Sequence, residues 1–500
     1  MEDGGSRFSI TVFPSSILHP PSSIYPTMKR VIVIGGGIAG LAAAHRLVEL
    51  SKEQSLELDV LLLEDSHRLG GSIATERIGD FLIESGPDSF ISEKPWALRL
   101  CERLGLTPRL ISTQAAYQKI YIVHCGKLEA LPEGFFLLAP TRFWPFVQTP
   151  LFSWRGKLRM AGELFLPRAQ ANHNDESLGS FVRRRFGREA LERVAQPLVG
   201  GIYAADPEQL SLAATMPRFL EMERNQRSVI RSMWSDQRRR ARRREGGSGA
   251  RWSLFVTLAG GMQELVDAVA GRLPENSIRY NAPASALNQN PATQKWHVQT
   301  KAGESLDADA VIVAAPALHA APLLRAVADV ATDELGKIRY ASTATVSLAY
   351  RADDFPRPPD SFGFVVPAIE KRKIMACTFS SLKYLGRAPE GHLLLRAFVG
   401  GALQPEYFRA DDATMEQNVR DELASLMGVT AKPILSRIWR HPNSMPQYHI
   451  GHDSRVERIE SALNSFPTLA LAGSAYHGVG IADCVRTGEE AAEKVIAALQ

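Results

Sequence analysis

Residues Val31-Ile32-Val33-Ile34-Gly35-Gly36-Gly37-Ile38-Ala39-Gly40-Leu41 leave the backbone few paths. The apolar run Val31–Ile34 fits a buried parallel strand. Gly35 makes the tight turn, Gly37 brings bare backbone up to a pyrophosphate, and Gly40 lets the following helix pack on the strand. That helix, with Ile38 and Ala39 in its opening, aims its positive N-terminal end at the phosphates. A second apolar strand, Val60-Leu61-Leu62-Leu63, ends at Glu64, where a carboxylate accepts hydrogen bonds from an adenosine ribose. A lone glycine fingerprint says little. This one follows a strand, opens a helix and has its acid at the expected distance. The continuation Arg68-Leu69-Gly70-Gly71 narrows the dinucleotide to FAD.

Five hundred residues are too many for one core, so two or three domains are expected. The 58 basic and 54 acidic side chains leave a net charge of +4, too little to argue for nucleic-acid binding. Cys101, Cys125, Cys377 and Cys484 are far apart without CxxC spacing. They predict buried free thiols in a reducing cytosol and support neither zinc nor a disulfide framework. Residues 1–28 are rich in Ser and Pro and lack a signal-peptide core, predicting a disordered extension or a start assigned too early. No apolar run is long enough to span a membrane. The segment from Phe135 to Trp154 is dense in aromatics and broken by Pro140, Pro145 and Pro150. Two readings stand: the core of a second domain, or an apolar rim resting in a membrane interface.

The pattern predicts an α/β fold. A Rossmann-like FAD-binding domain is discontinuous, over 29–105, 250–330 and 455–500. A helical domain covers 106–235 and a mixed-sheet substrate domain covers 331–454. The helix from Pro95 should stop at Gly105. The run Arg238-Arg239-Arg240-Ala241-Arg242-Arg243-Arg244, followed by Gly246-Gly247-Ser248-Gly249, reads as a basic, Gly-rich linker over 236–250, solvated and mobile. Ser277–Tyr280 and Trp296–Thr300 suit an antiparallel layer beside the parallel sheet. Near the C-terminus the turn Gly478-Val479-Gly480 joins strand Leu469–Gly473 to a helix from Ile481. A turn of that kind belongs at the ribityl or isoalloxazine part of a flavin.

The glycine fingerprint, ribose acid and Arg68–Gly71 run resemble those of amine oxidases and phytoene desaturases. Four further segments resemble, more narrowly, the oxygen-dependent porphyrinogen oxidases of haem synthesis. These are Glu84-Ser85-Gly86-Pro87-Asp88-Ser89-Phe90, the stretch Gln196–Asp206 with Leu210-Ser211-Leu212, Met445–His452, and Gly473–Cys484. The likeness runs from about Lys29 to the C-terminus and leaves the arginine run outside it. It is strongest to the bacterial soluble-type enzymes.

The resemblance implies non-covalent FAD, since no cysteine stands at Ser474 or Ala475. Gly86, Pro87, Asp88 and Ser89 would lie along the flavin, Val479, Gly480 and Ile481 would approach its rings, and Ala284 joins the cofactor set. Ser474 stands where many related flavoproteins place an aspartate. Hydride would pass from a methylene bridge to flavin N5, with O2 as final acceptor and hydrogen peroxide released. No catalytic side chain is assigned, and the histidines read as packing or surface groups. Lys94 would meet a propionate of the tetrapyrrole, against the plainer reading of a solvated helix-start lysine. Gly201 and Ala204 would bring backbone against the macrocycle, against tight-turn packing. The resemblance further implies a monomer or homodimer, cytoplasmic or peripheral on the inner face of the membrane. Between coproporphyrinogen III and protoporphyrinogen IX it tilts to the former. An amine oxidase, a carotenoid desaturase and an FAD-free escort-type scaffold are the competing readings, and the retained glycines with Glu64 speak against the last.

Overall fold

A computed structural model describes residues 28–136, 139–140, 142–168, 175–244 and 253–500. The expected extension before Met28, and the glycine-rich part of the linker, lie outside the described residues. At the centre is an all-parallel sheet in the order Ile278–Arg279, Leu58–Leu63, Lys29–Ile34, Ala310–Val313, Leu469–Leu471. Lys29–Ile34 pairs on both edges and buries Val31, Ile32 and Val33 completely, which explains an apolar run without alternation. Successive side chains still enter different cores. Val31, Val33, Val60 and Leu62 pack with the helices Ile38–Glu53 and Ile481–Leu499. Ile32, Ile34, Leu61 and Leu63 pack with Leu287, Trp296 and Val298 of an antiparallel layer, Ala284–Gln289, Trp296–Thr300 and Ser305–Ala308. Ser277–Tyr280 does not join that layer as expected. Ile278 and Arg279 pair in parallel with Leu62 and Leu63, held by the Leu62 and Glu64 N–H groups donating to Ser277 and Arg279 carbonyls.

The second sheet has seven strands, in the order Leu435–Gln447, Arg339–Arg351, His392–Gly400, Ala376–Phe379, Gly363–Val365, Tyr121–His124, Lys127–Ala130. Only Gly363–Val365 and Tyr121–His124 run parallel to each other. The last two strands correct the expected boundaries, because residues 121–130 fall in the stretch assigned to helices. Their hairpin turns at Cys125 and Gly126, both at positive φ (50° and 74°), as a two-residue loop requires. The turn also leaves Cys125 exposed, unlike the other three cysteines. The boundary at 330 likewise falls inside a helix, Asp329–Gly336, whose Ala331 and Leu335 pack in the nucleotide-side core.

The third unit is helical. Leu178–Arg185 is capped by the Ser177 hydroxyl and buries Phe181, Val182 and Arg185. Arg185 is paired with the equally buried Glu163, whose carboxylate also receives the Ser228 hydroxyl and the Val229 N–H. The arginine run is not a loop. It forms the end of the helix Val229–Arg244, whose start is anchored by buried Val229, Ile230 and Met233, and Arg and Ala are strong helix formers. The aromatic segment divides between core and surface. Phe146, Leu151 and Phe152 are core, whereas Phe143, Trp144 and Trp154 are each at least 64% exposed.

Candidate active site

The strand Lys29–Ile34 hands the chain to the helix Ile38–Glu53 through the three glycines. A Cβ on Gly40 would fall 1.8 Å from the Gly35 carbonyl oxygen, so only glycine lets this helix lie so close. A Cβ on Gly37 would meet nothing within 4 Å: this face of the loop is open. Among the described residues no side chain caps that helix, and its first turn carries no acid. An open glycine face at an uncapped helix start is a cradle suited to a diphosphate. The Arg68–Gly71 segment lies against it, with the Gly70 N–H donating to the Gly36 carbonyl at 2.8 Å. The Arg68 guanidinium donates to the carbonyls of Leu69, Ile73 and Gly71, fixing the segment. Glu64 accepts from the Gly36 N–H at 2.7 Å and from Ser66, so its carboxylate is aimed at the loop. Ala284 stands nearby, two residues past Ala282, whose N–H donates to the Glu64 carbonyl. These residues fit the adenosine diphosphate half of FAD.

From there the backbone leads to Glu84–Ser89. A Cβ on Gly86 would lie 2.1 Å from the Ser72 carbonyl oxygen. This segment is held from outside, by the seven-stranded sheet. Arg396 donates to the Gly86 carbonyl at 2.7 Å, and Thr345 and His441 donate to the Ser85 carbonyl at 2.7 and 2.9 Å. The Asp88 carboxylate is not free for a cofactor. It lies 3.0 Å from Lys383 and 3.1 Å from Arg396, and accepts from the Ser89 hydroxyl. Burial opposes its ionisation, but the two cations outweigh burial and hold the carboxyl well below the usual carboxylate range. Burial lowers His441 as well, keeping a neutral ring whose N–H serves Ser85. Thr345, Lys383, Arg396 and His441 had no part in the sequence reading of the site. A lone arginine inside Leu393-Leu394-Leu395-Arg396-Ala397-Phe398 was the one available signal.

The C-terminal turn closes on the same region. Gly473 packs against Ala39, and Gly488 lets the last helix approach the first, a Cβ there falling 2.2 Å from the Ala39 carbonyl oxygen. Tyr448 pins the turn by donating to the Ser474 carbonyl at 2.6 Å and accepting the Gly478 N–H at 2.8 Å. Its ring stacks on His452, which burial lowers to about 4 and which bonds the Tyr476 carbonyl, so it serves packing. Val479 packs toward the helical core, and Gly480 begins the helix that opens with Ile481. Lys94 is neither free nor simply solvated: its ammonium bonds both oxygens of Asp483, at 2.6 and 2.8 Å.

A cavity between the helix Gln196–Tyr203 and the second sheet is lined by Gln196, Gly200, Ala204, Val366, Met375 and Gln404. Ala204 lines this cavity, in a left-handed conformation (φ 48°) and tied by its carbonyl to the Ala402 N–H. Gly201 is exposed, and its neighbour Gly200 faces the cavity. Gln447 donates both ways, to the Tyr203 and Met445 carbonyls, which fixes its amide and leaves a buried Oε1 without a partner among the described residues. Gln404 has a similar unpartnered Oε1. Buried acceptors of this kind are costly unless a ligand supplies the donor.

Comparison with known proteins places these features in context. Residues 38–496 match the model of the flavin containing amine oxidoreductases. The chain is 36% identical to the coproporphyrinogen III oxidase of Bacillus subtilis (strain 168), over 93% of this chain and 97% of that one. Identity to the coproporphyrinogen III oxidase of Propionibacterium freudenreichii is 35%, over 93% and 90%. Among solved structures, a protein from Exiguobacterium sp. 255-15 assigned as a protoporphyrinogen oxidase superposes with a TM-score of 0.82. It is 31% identical, with 94% of this chain and 99% of that one covered.

Proposed function

Because the chain belongs to the family of flavin containing amine oxidoreductases, we propose that it oxidises a porphyrinogen to the porphyrin in haem synthesis, with FAD bound non-covalently and coproporphyrinogen III as substrate. The observation that carries this reading is the glycine cradle in a chain that matches coproporphyrinogen III oxidases over 93% of its length. A Cβ on Gly71 would stand 3.4 Å from the Gly37 Cα and one on Gly86 2.1 Å from the Ser72 carbonyl oxygen, so bare backbone extends from the diphosphate cradle to the Glu84–Ser89 segment. The choice of coproporphyrinogen is supported by the activity in whose name the relatives at 35–36% identity agree.

FAD, when bound, supplies the hydride acceptor, with O2 the final oxidant and hydrogen peroxide the by-product. The chain's own task is placement. The glycine loop and Glu64 hold the nucleotide, and Arg396, Thr345 and His441 fix the Glu84–Ser89 backbone. Val366 and Met375 give the cavity apolar walls, and Lys94 offers a cation to a propionate. No proton-transferring side chain is required.

The test is turnover in air. Purified protein should be yellow and should generate fluorescent porphyrin from coproporphyrinogen III faster than from protoporphyrinogen IX. Flavin-bearing protein that leaves both unchanged would overturn the reading; the reverse preference would overturn the choice of substrate.

A second observation favours peripheral contact with an anionic membrane surface, from the cytoplasmic side. Phe143, Trp144, Trp154, Leu158 and Phe165 are exposed together with Arg142 and Arg155. Aromatic rings beside cations suit the headgroup layer. Among the described residues no helix is long and apolar enough to cross a membrane. Co-sedimentation with phosphatidylglycerol vesicles should fall in the double variant Trp144→Ser, Trp154→Ser; unchanged co-sedimentation would refute this contact.

A further inference from the structure

Asp483 lies in the first turn of the helix Ile481–Leu499 and is almost fully buried, whereas the side chain of its partner Lys94 is 45% exposed. The surrounding turn is shaped around that carboxylate. A Cβ on Gly478 would stand 2.4 Å from the Asp483 carboxyl carbon, and one on Gly480 3.4 Å from its oxygen. Burial first and then the Asp483 charge push the Tyr203 phenol up to about 12. Tyr203 ends the cavity helix and precedes Ala204 in the cavity wall. The ion pair joins the start of the helix Pro95–Arg103 to the C-terminal glycine turn.

We propose that Asp483 is an internal competitor for Lys94: it holds the ammonium when no ligand carboxylate is present and takes it back as the product leaves. The inference rests on the porphyrinogen reading, with Lys94 meeting a propionate. Oxidation changes the macrocycle and leaves the propionates untouched. A cation that merely attracted carboxylates would therefore hold product as firmly as substrate. An ammonium has three donors and a flexible stem, so it can be shared between a fixed carboxylate and an incoming one. Asp483 is enclosed by its turn and cannot follow, so Lys94 is the group that moves. Asp483 is on this view a positioning residue, acting through Lys94 on how long an anionic macrocycle stays.

The experiment titrates holoenzyme with coproporphyrin III and, in the same detergent buffer, with its methyl ester, which lacks the anionic carboxylates. Asp483→Asn should bind the free acid roughly tenfold more tightly, with a steeper salt dependence, and should lower KM and kcat together. Its affinity for the ester should not change. Lys94→Met should loosen the free acid several-fold and leave the ester alone. Equal affinity of Asp483→Asn and wild type for the free acid would overturn the proposal, as would equal tightening for the ester. Should Asp483→Asn fail to fold, the wild type and Lys94→Met decide, and no difference between them on the free acid would overturn it. A wild-type holoenzyme that binds no porphyrin would instead overturn the functional reading, and this inference with it.

Discussion

Two neighbouring stretches of the site are built on opposite plans. Gly35–Gly40 is made by its own sequence: the turn, the close approach of helix to strand and the open face all come from glycines within one strand–helix unit. Glu84–Ser89 is made by others. Its carbonyls and its Asp88 carboxylate are held by Thr345, Lys383, Arg396 and His441, more than 250 residues further along the chain. The first plan takes its shape from its own glycines, with Glu64 and Gly70 adding one hydrogen bond each at Gly36. The second makes the placement of the segment depend on the seven-stranded sheet, so that the unit lining the cavity also fixes the Glu84–Ser89 backbone.

The comparison can be broken at four points. The largest effect is expected at Gly40. Gly40→Val puts a side chain onto the Gly35 carbonyl oxygen, and the protein should emerge without flavin and largely insoluble. Soluble, yellow Gly40→Val protein would show that the loop is less constrained than described. Next is Arg396, buried against Asp88 and the Gly86 carbonyl. Arg396→Met should cost about 3–5 kcal/mol in denaturant unfolding, with Arg396→Lys recovering part of it. A loss under about 1 kcal/mol would remove the arginine from the clamp.

A smaller, pH-dependent effect is expected at Asp88. Its carboxyl is lowered in the folded protein below the ordinary value of 3.8, so the folded state binds its proton less readily than the unfolded chain. Its stabilisation is thus complete above about pH 4–5 and is lost as pH falls from there toward the folded-state value. Asp88→Asn should be less stable at neutral pH by about 1–3 kcal/mol and should have a flatter acid limb. Parallel acid limbs in the two proteins would contradict the ion cluster. The smallest change is expected at Gly37→Ala, where φ is −67° and a methyl meets open space. Apo-protein stability should stay within about 0.5 kcal/mol while FAD binds more weakly, and the reverse pattern would mean that this face is not the cradle.

The same contrast decides what the sequence could disclose. The strand–glycine–helix unit, Glu64 and the helix stop at Gly105 (φ +75°) were readable because local geometry needs those residue types at that spacing. The clamp was not, because nothing in Leu393–Phe398 tells which carbonyl an inward arginine will meet. The hairpin at residues 121–130 was missed for a related reason: two short strands acquire a sheet only from partners far away. The arginine run went the other way. Its charge suggested a solvated loop, but a helix already anchored at Val229 continues through good helix formers. Lys94 could be marked as a cation in the right place, yet its carboxylate partner lies on the last helix.

The order of strands in the parallel sheet bears on biogenesis. Ala310–Val313 completes its outer pairing only with Leu469–Leu471. A nascent chain therefore carries a bare, apolar strand edge through about a third of its translation, from Val313 to Leu469, the kind of surface that seeds aggregation. Heterologous production should accordingly respond to growth temperature and chaperone supply far more than the stability of the finished protein would indicate.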